Sequence, residues 1–232
     1  MLAAWAVLVG LPDAFGSLAR AELPSALVPR RAITAGGHDH YRPQLSLDGR
    51  DVYFLGNESR TAELFVQNLE RGFPRLLLDE SAEVDLPRLS PDGKHLLFVS
   101  YRRYAGGDAC VFEIERQRRF CVTREGTTVH HVFWFPDGRV GALVQASPDA
   151  PHEVRRFPLD DGEVAGRVIH RGHLATPEIS PDGRWLVFVP LEPREGRRGL
   201  RRASDGLVLR DLRSERELRI EPLLPGTRII SP

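Results

Sequence analysis

His38, Asp39 and His40 stand in one run, and His130, His131 and His173 fall at matching places ahead of later segments of the same kind. Imidazole and carboxylate at such density are the groups that hold transition metals or pass protons near neutral pH. Ligation needs convergence on one point, and adjacency in sequence does not supply it. The simpler reading is loop histidines with no shared ion, so no metal site is expected. Tyr41, Glu83, Asp85 and Trp134 add aromatic and acidic groups to the same neighbourhoods. His38, His40, Tyr41, Glu83, Asp85, His130, His131, Trp134 and His173 together read as a binding rim for a partner's exposed segment.

Four aspartates, Asp48, Asp92, Asp137 and Asp182, invite a carboxylate-cluster reading, but each precedes a glycine in a repeated context that explains it as a turn residue. No G-x-S-x-G nucleophile elbow, H-E-x-x-H zinc motif, phosphate-binding loop or G-x-G-x-x-G fingerprint occurs. No catalytic residue and no cofactor is therefore expected. A carbohydrate-active reading through rim carboxylates lacks a recognisable acid and nucleophile pair. Lys plus Arg and Asp plus Glu are both 32, which gives no excess charge for nucleic acid.

The elements that must position these groups come from an internal repeat. Residues 43–50, 87–94, 132–139 and 177–184 share one pattern, and their aspartates recur at intervals of 44, 45 and 45 residues. That period suits one four-stranded propeller blade. Within each motif, proline presets a turn dihedral, aspartate bonds the backbone ahead of it, and glycine takes the left-handed conformation that closes a bulged hairpin. Asp48-Gly49, Asp92-Gly93, Asp137-Gly138 and Asp182-Gly183 are thus structural turns. A short β-prone run follows each, as in Leu96-Leu97-Phe98-Val99, and near-continuous apolarity suits strands covered on both faces.

The fold class is accordingly all-β: a β-propeller of about four complete blades plus a partial one. Thr227 to Pro232 repeats the motif's beginning, and Leu27 to Thr34 resembles a last strand. The expectation is an open or truncated arc whose edges invite self-association. The Arg-rich stretch from Pro193 to Ser204 reads as a solvated surface loop.

Cys110 and Cys121 fall opposite one another if a hairpin turn centres between Glu115 and Arg116, which makes a cross-strand disulfide geometrically possible. Residues 1–21 read as a signal peptide: an apolar run too short to cross a bilayer as a helix, then Ala19-Arg20-Ala21 before Glu22. No basic residue precedes that run. Residues 22–232 form the propeller, exported or periplasmic, and peripheral to a membrane at most.

The Ser-Pro-Asp-Gly-Arg/Lys motif followed by an apolar strand resembles the propeller repeats of the TolB family, over residues 27 to 232, and is similar to the propellers of prolyl-oligopeptidase-type peptidases. The resemblance implies a periplasmic propeller in contact with another protein. The first reading is a non-enzymatic module binding a protein or cell-envelope ligand. The alternative is a regulatory propeller fragment of a prolyl-oligopeptidase-type serine peptidase lacking its hydrolase domain.

Overall fold

A computed structural model describes residues 39–57, 61–79, 82–123, 126–160, 166–193, 200–202 and 206–220. Segment 1–21, residues 27–34, His38 and the partial motif at 227–232 lie outside the described residues. The strands form four antiparallel sheets, each a blade. Blade 1 holds β1 (His40–Leu45), β2 (Asp51–Gly56), β3 (Glu63–Asn68) and β4 (Arg75–Leu78) in that spatial order. Blade 2 holds β5 (Val84–Leu89), β6 (His95–Ser100), β7 (Asp108–Glu113) and β8 (Arg118–Cys121). Blade 3 holds β9 (Thr128–Trp134), β10 (Val140–Gln145), β11 (His152–Phe157) and β12 (Arg167–Gly172). Blade 4 holds β13 (Leu174–Ile179), β14 (Trp185–Pro193), β16 (Leu207–Asp211) and β17 (Glu217–Ile220), with β15 (Leu200–Arg202) paired to the far end of β14.

That last pairing corrects the loop reading at Pro193 and at residues 200–202, the described part of the stretch from Pro193 to Ser204. Leu191, Glu192 and Pro193 pair with Arg202, Arg201 and Leu200, so the described residues of this stretch continue the ladder. Charge content favours a solvated loop, but paired strands satisfy one another's backbone groups whatever their side chains carry.

Successive blades pack through alternate residues of their apolar strands. Leu96 and Phe98 of β6 join Tyr53, Leu55, Leu64 and Val66 of blade 1, while Leu97 and Val99 join Val132, Val140, Ala142 and Val144 of blade 3. Period-two alternation thus spends both faces of one strand on burial, which is why these strands read as continuous apolar runs. Each fully buried Leu or Phe contributes about 2 kcal/mol of transfer free energy. Phe133, Phe135, Leu143 and Val154 meet Leu174, Leu186, Phe188 and Val208 between blades 3 and 4. Gly141 permits that packing, because a β-carbon there would stand 2.3 Å from the Phe133 ring.

The repeated turns close by one device in blades 1, 2 and 4. Ser46, Ser90 and Ser180 each donate a hydroxyl to Oδ1 of the aspartate two residues on. Each serine oxygen also accepts, at 2.9 Å, the backbone N–H of Asp51, His95 or Trp185. The same carboxylate oxygens take the N–H of Arg50, Lys94 and Arg184 at 3.0–3.1 Å. Blade 3 departs from this. Phe135 replaces the serine, and its N–H bonds Arg139 four residues on, whereas Ser90 bonds His95 five on. The turn is one residue shorter, and Phe135 enters the core beside Phe133.

At the opposite end of the first strands, β1, β5 and β13 carry bulges between Tyr41 and Gln44, Asp85 and Arg88, and Ala175 and Glu178. Arg42, Leu86 and Thr176 adopt φ of 54°, 55° and 46°, each just before a proline that can offer no ladder donor. In β9 the irregularity falls at His130, between Val129 and His131. Bulges re-aim side chains. The first strands touch in chain order, β1 to β5 to β9 to β13, and so form the hub on which these residues sit.

Candidate functional site

Three consecutive first strands meet at one carboxylate. Glu178 Oε1 accepts from Arg88 Nη2 at 2.8 Å and lies 3.1 Å from His131 Nε2. Arg88 and Glu178 remain about one-third exposed on their side chains, 37% and 30%, whereas His131 is 7% exposed. The hub therefore presents a fixed guanidinium and carboxylate to solvent with a buried imidazole behind them. Trp134 fixes the backbone of this arrangement from the next blade, its indole N–H donating to the Arg88 carbonyl at 2.9 Å. A carboxylate committed to two donors serves as an anchor that holds their N–H groups in fixed orientation.

Where blades 3 and 4 begin their first strands, His130, His152 and His173 gather. The ring centroids of His130 and His152 are 4.9 Å apart, and those of His152 and His173 are 6.5 Å apart, both pairs edge to face. His130 Nε2 lies 2.9 Å from Gln145 Oε1. His152 is buried, and its Nδ1 finds no partner among the described residues. Burial, then the neighbouring His130 and His173, pushes its pKa down to about 4. Burial keeps the His152 ring neutral between its two neighbours; among the described residues no group of three or more His, Cys, Asp or Glu is arranged to hold a metal ion.

Between blades 1 and 2 the same end is acidic and aromatic. Arg42 grips Asp85 through Nε to Oδ1 at 2.7 Å and Nη2 to Oδ2 at 3.4 Å. Burial first, then Asp85 and Glu83, pushes the phenols of Tyr41 and Tyr101 up. His40 packs edge-on against Phe54 at 5.0 Å.

The structure thus brings the expected rim residues together as two clusters, not one ring. His130 joins His173, Tyr41 joins Glu83 and Asp85, and His131 turns inward to Glu178. Trp134 lies at the turn end of β9, its ring 6.3 Å from that of His95 and its indole N–H on the Arg88 carbonyl. Sequence reasoning missed Arg42, Arg88, Tyr101, Gln145, His152 and Glu178. A usable signal existed for two of them, since Arg88 and Glu178 both stand four residues ahead of the turn aspartate. His152 opens β11 where Glu63 and Asp108 open β3 and β7, and no histidine recurs there to mark it.

No family model matches the chain. In sequence it is similar to the uncharacterized peptidase YuxL of Bacillus subtilis (strain 168), 29% identical over 148 residues, which is 63% of this chain and 21% of the relative. The chain thus spans about a fifth of that protein's length. In structure it is similar to TolB from Acinetobacter baumannii, with a TM-score of 0.58, 14% identity and coverage of 82% of this chain and 45% of that one. A puromycin-hydrolyzing peptidase of Mycobacterium tuberculosis gives a TM-score of 0.62 and 16% identity, covering 86% and 31%. The blades of this chain share the TolB-like β-propeller fold, which is also that of the propellers in prolyl-oligopeptidase-type peptidases.

Proposed function

We propose that this chain is a non-enzymatic binding propeller, exported from the cytoplasm, whose first-strand rim and hub engage a protein or cell-envelope ligand. The observation that carries the reading is the Arg88–Glu178–His131 junction, polar and part-exposed at the meeting of three blades that are packed together through apolar strands. Part-exposed charged groups held in fixed geometry on a rigid scaffold are what a recognition surface requires. Periplasmic residence rests on the amino-terminal segment and on the likeness to TolB.

Photo-crosslinking tests the binding face. A benzophenone side chain at Tyr41 or His173, both exposed at the rim, is expected to give discrete adducts in living cells; the same group at Asp48 or Asp137, exposed at the turns, is not. Adducts from the turns alone overturn the assignment. Release of the chain by osmotic shock supports export, and retention with cytoplasmic markers refutes it.

A second reading is favoured by the likeness to YuxL: the blades are the regulatory propeller of a serine peptidase whose hydrolase part lies elsewhere in the polypeptide. Labelling cells with a fluorophosphonate separates the two, because only the peptidase places the label on a polypeptide that carries this sequence.

A further inference from the structure

At the turn end, away from the rim, blades 3 and 4 part around a cavity of about 490 Å³. That volume holds a small organic molecule or the last residues of a peptide. Its place follows from the altered turn of blade 3. Phe135, set where the other blades have serine, forms part of an apolar floor with Ile169 and Leu212.

Arginines form the wall. Arg156 and Arg167 are directly opposite one another on β11 and β12. Like charges so placed destabilise a sheet. Arg156 gives Nη2 to Asp137 and lies over the Phe135 ring at 4.7 Å, but its Nε is buried with no acceptor among the described residues. The Arg167 guanidinium forms no ion pair with the described residues, whereas the third arginine, Arg210, is held by Glu217 at 2.9 Å and Glu215 at 3.4 Å. The carboxylates lining the cavity are engaged in turn: Asp137 by Arg156, Glu215 by Arg210, and Asp182 by the Ser180 hydroxyl and the Arg184 N–H. The exposed Arg167 fork is left over an apolar floor, beside an Arg156 whose Nη2 is taken by Asp137 and whose Nε is buried.

We infer that this cavity binds a carboxylate carried on an apolar body. The carboxylate pairs with the Arg167 fork and screens its repulsion with Arg156, while the body rests on Phe135, Ile169 and Leu212. A free acylated amino acid and the C-terminal end of a polypeptide share that chemistry. The site stands apart from the rim and does not depend on the reading given for it.

Calorimetry on the full chain, with N-acetyl-leucine, N-acetyl-leucinamide and N-acetyl-Ala-Ala-Ala-Leu as probes, tests the inference. Saturable binding of the carboxylates and at least tenfold weaker binding of the amide are expected. Binding of both carboxylates identifies a small-molecule site, and binding of the tetrapeptide alone identifies a polypeptide end. Arg167→Gln is expected to weaken carboxylate binding at least tenfold and, without ligand, to melt no lower than the parent, because a repulsive pair has been removed. Arg167→Lys keeps the charge, loses the fork and falls between. Arg171→Gln, whose arginine pairs with Glu153, leaves binding unchanged. No heat with either carboxylate, equal binding of the amide, or unchanged affinity in Arg167→Gln overturns the inference.

Discussion

Arg88 and Glu178 stand ninety positions apart and are joined at 2.8 Å across the hub, with His131 on the same carboxylate oxygen. Removing the acceptor leaves two oriented donors half out of water. Glu178→Ala is expected to lower stability by about 1 kcal/mol, the upper end for part-exposed ion pairs. Urea unfolding of Glu178→Ala, Arg88→Ala and the double variant isolates the pair. A coupling indistinguishable from zero would show that the junction is incidental to the fold.

Ser90 is buried and both donates to Asp92 at 2.6 Å and accepts the His95 N–H at 2.9 Å. Ser90→Ala abandons that N–H and is expected to cost about 1–2 kcal/mol. Ser46→Ala, in the more exposed first turn, costs less, since water replaces the lost hydroxyl. Chemical denaturation ranks the two, and the reverse order would contradict this account of the turn.

The turns were legible because their chemistry is local: serine, aspartate and glycine within four residues specify the bonds the structure makes. The strand pattern was legible because stacking buries both faces. The bulges were not, because a positive φ immediately before proline at Arg42, Leu86 and Thr176 opposes the local preference of that position and is imposed by the hub. The site suffered most. Glu178 meets Arg88 and His131 only once blades 2, 3 and 4 stack, and His152, the first residue of β11, meets His130 and His173 only once the strands are brought together. Phe135 was visible as an irregular motif residue, but its consequence, a shortened turn over a cavity, required the neighbouring blade.

Gly93 and Gly138 occupy equivalent turns with φ of 72° and 79°, yet only Gly93 is crowded, a β-carbon there standing 3.0 Å from the Leu47 side chain of the preceding blade. Alanine at either position incurs the left-handed strain, about 1 kcal/mol. Gly93→Ala is expected to cost more than Gly138→Ala by the displacement of Leu47, and thermal melts of the two variants give the comparison. Equal losses would mean that Leu47 yields freely.

His152, with its pKa pushed down to about 4 by burial and by His130 and His173, stays neutral in the fold where an ordinary imidazole takes up a proton near 6.5. Between those values the unfolded chain binds a proton that the folded chain refuses. Its contribution to stability is therefore complete above pH 6.5, falls as the pH drops toward 4, and changes no further below that. Urea midpoints measured from pH 7.5 to 3.5 should show this loss in the parent and a shallower one in His152→Gln. An identical profile in the variant would assign the acid sensitivity to other groups.

Cys110 and Cys121 are directly paired on β7 and β8, with their sulfurs 1.97 Å apart. They are the chain's two cysteines, so thiol counting reads the bond without ambiguity. Chain recovered from an oxidising compartment is expected to show no reactive thiol in denaturant before reduction and two after it. The bond closes a short loop within an already formed hairpin, so reduction should cost about 2 kcal/mol, the lower end for native bridges. The same count also bears on location. Disulfides persist in exported proteins and are rare where glutathione keeps thiols reduced, so two free thiols in rapidly alkylated cells would argue against both the bond and export.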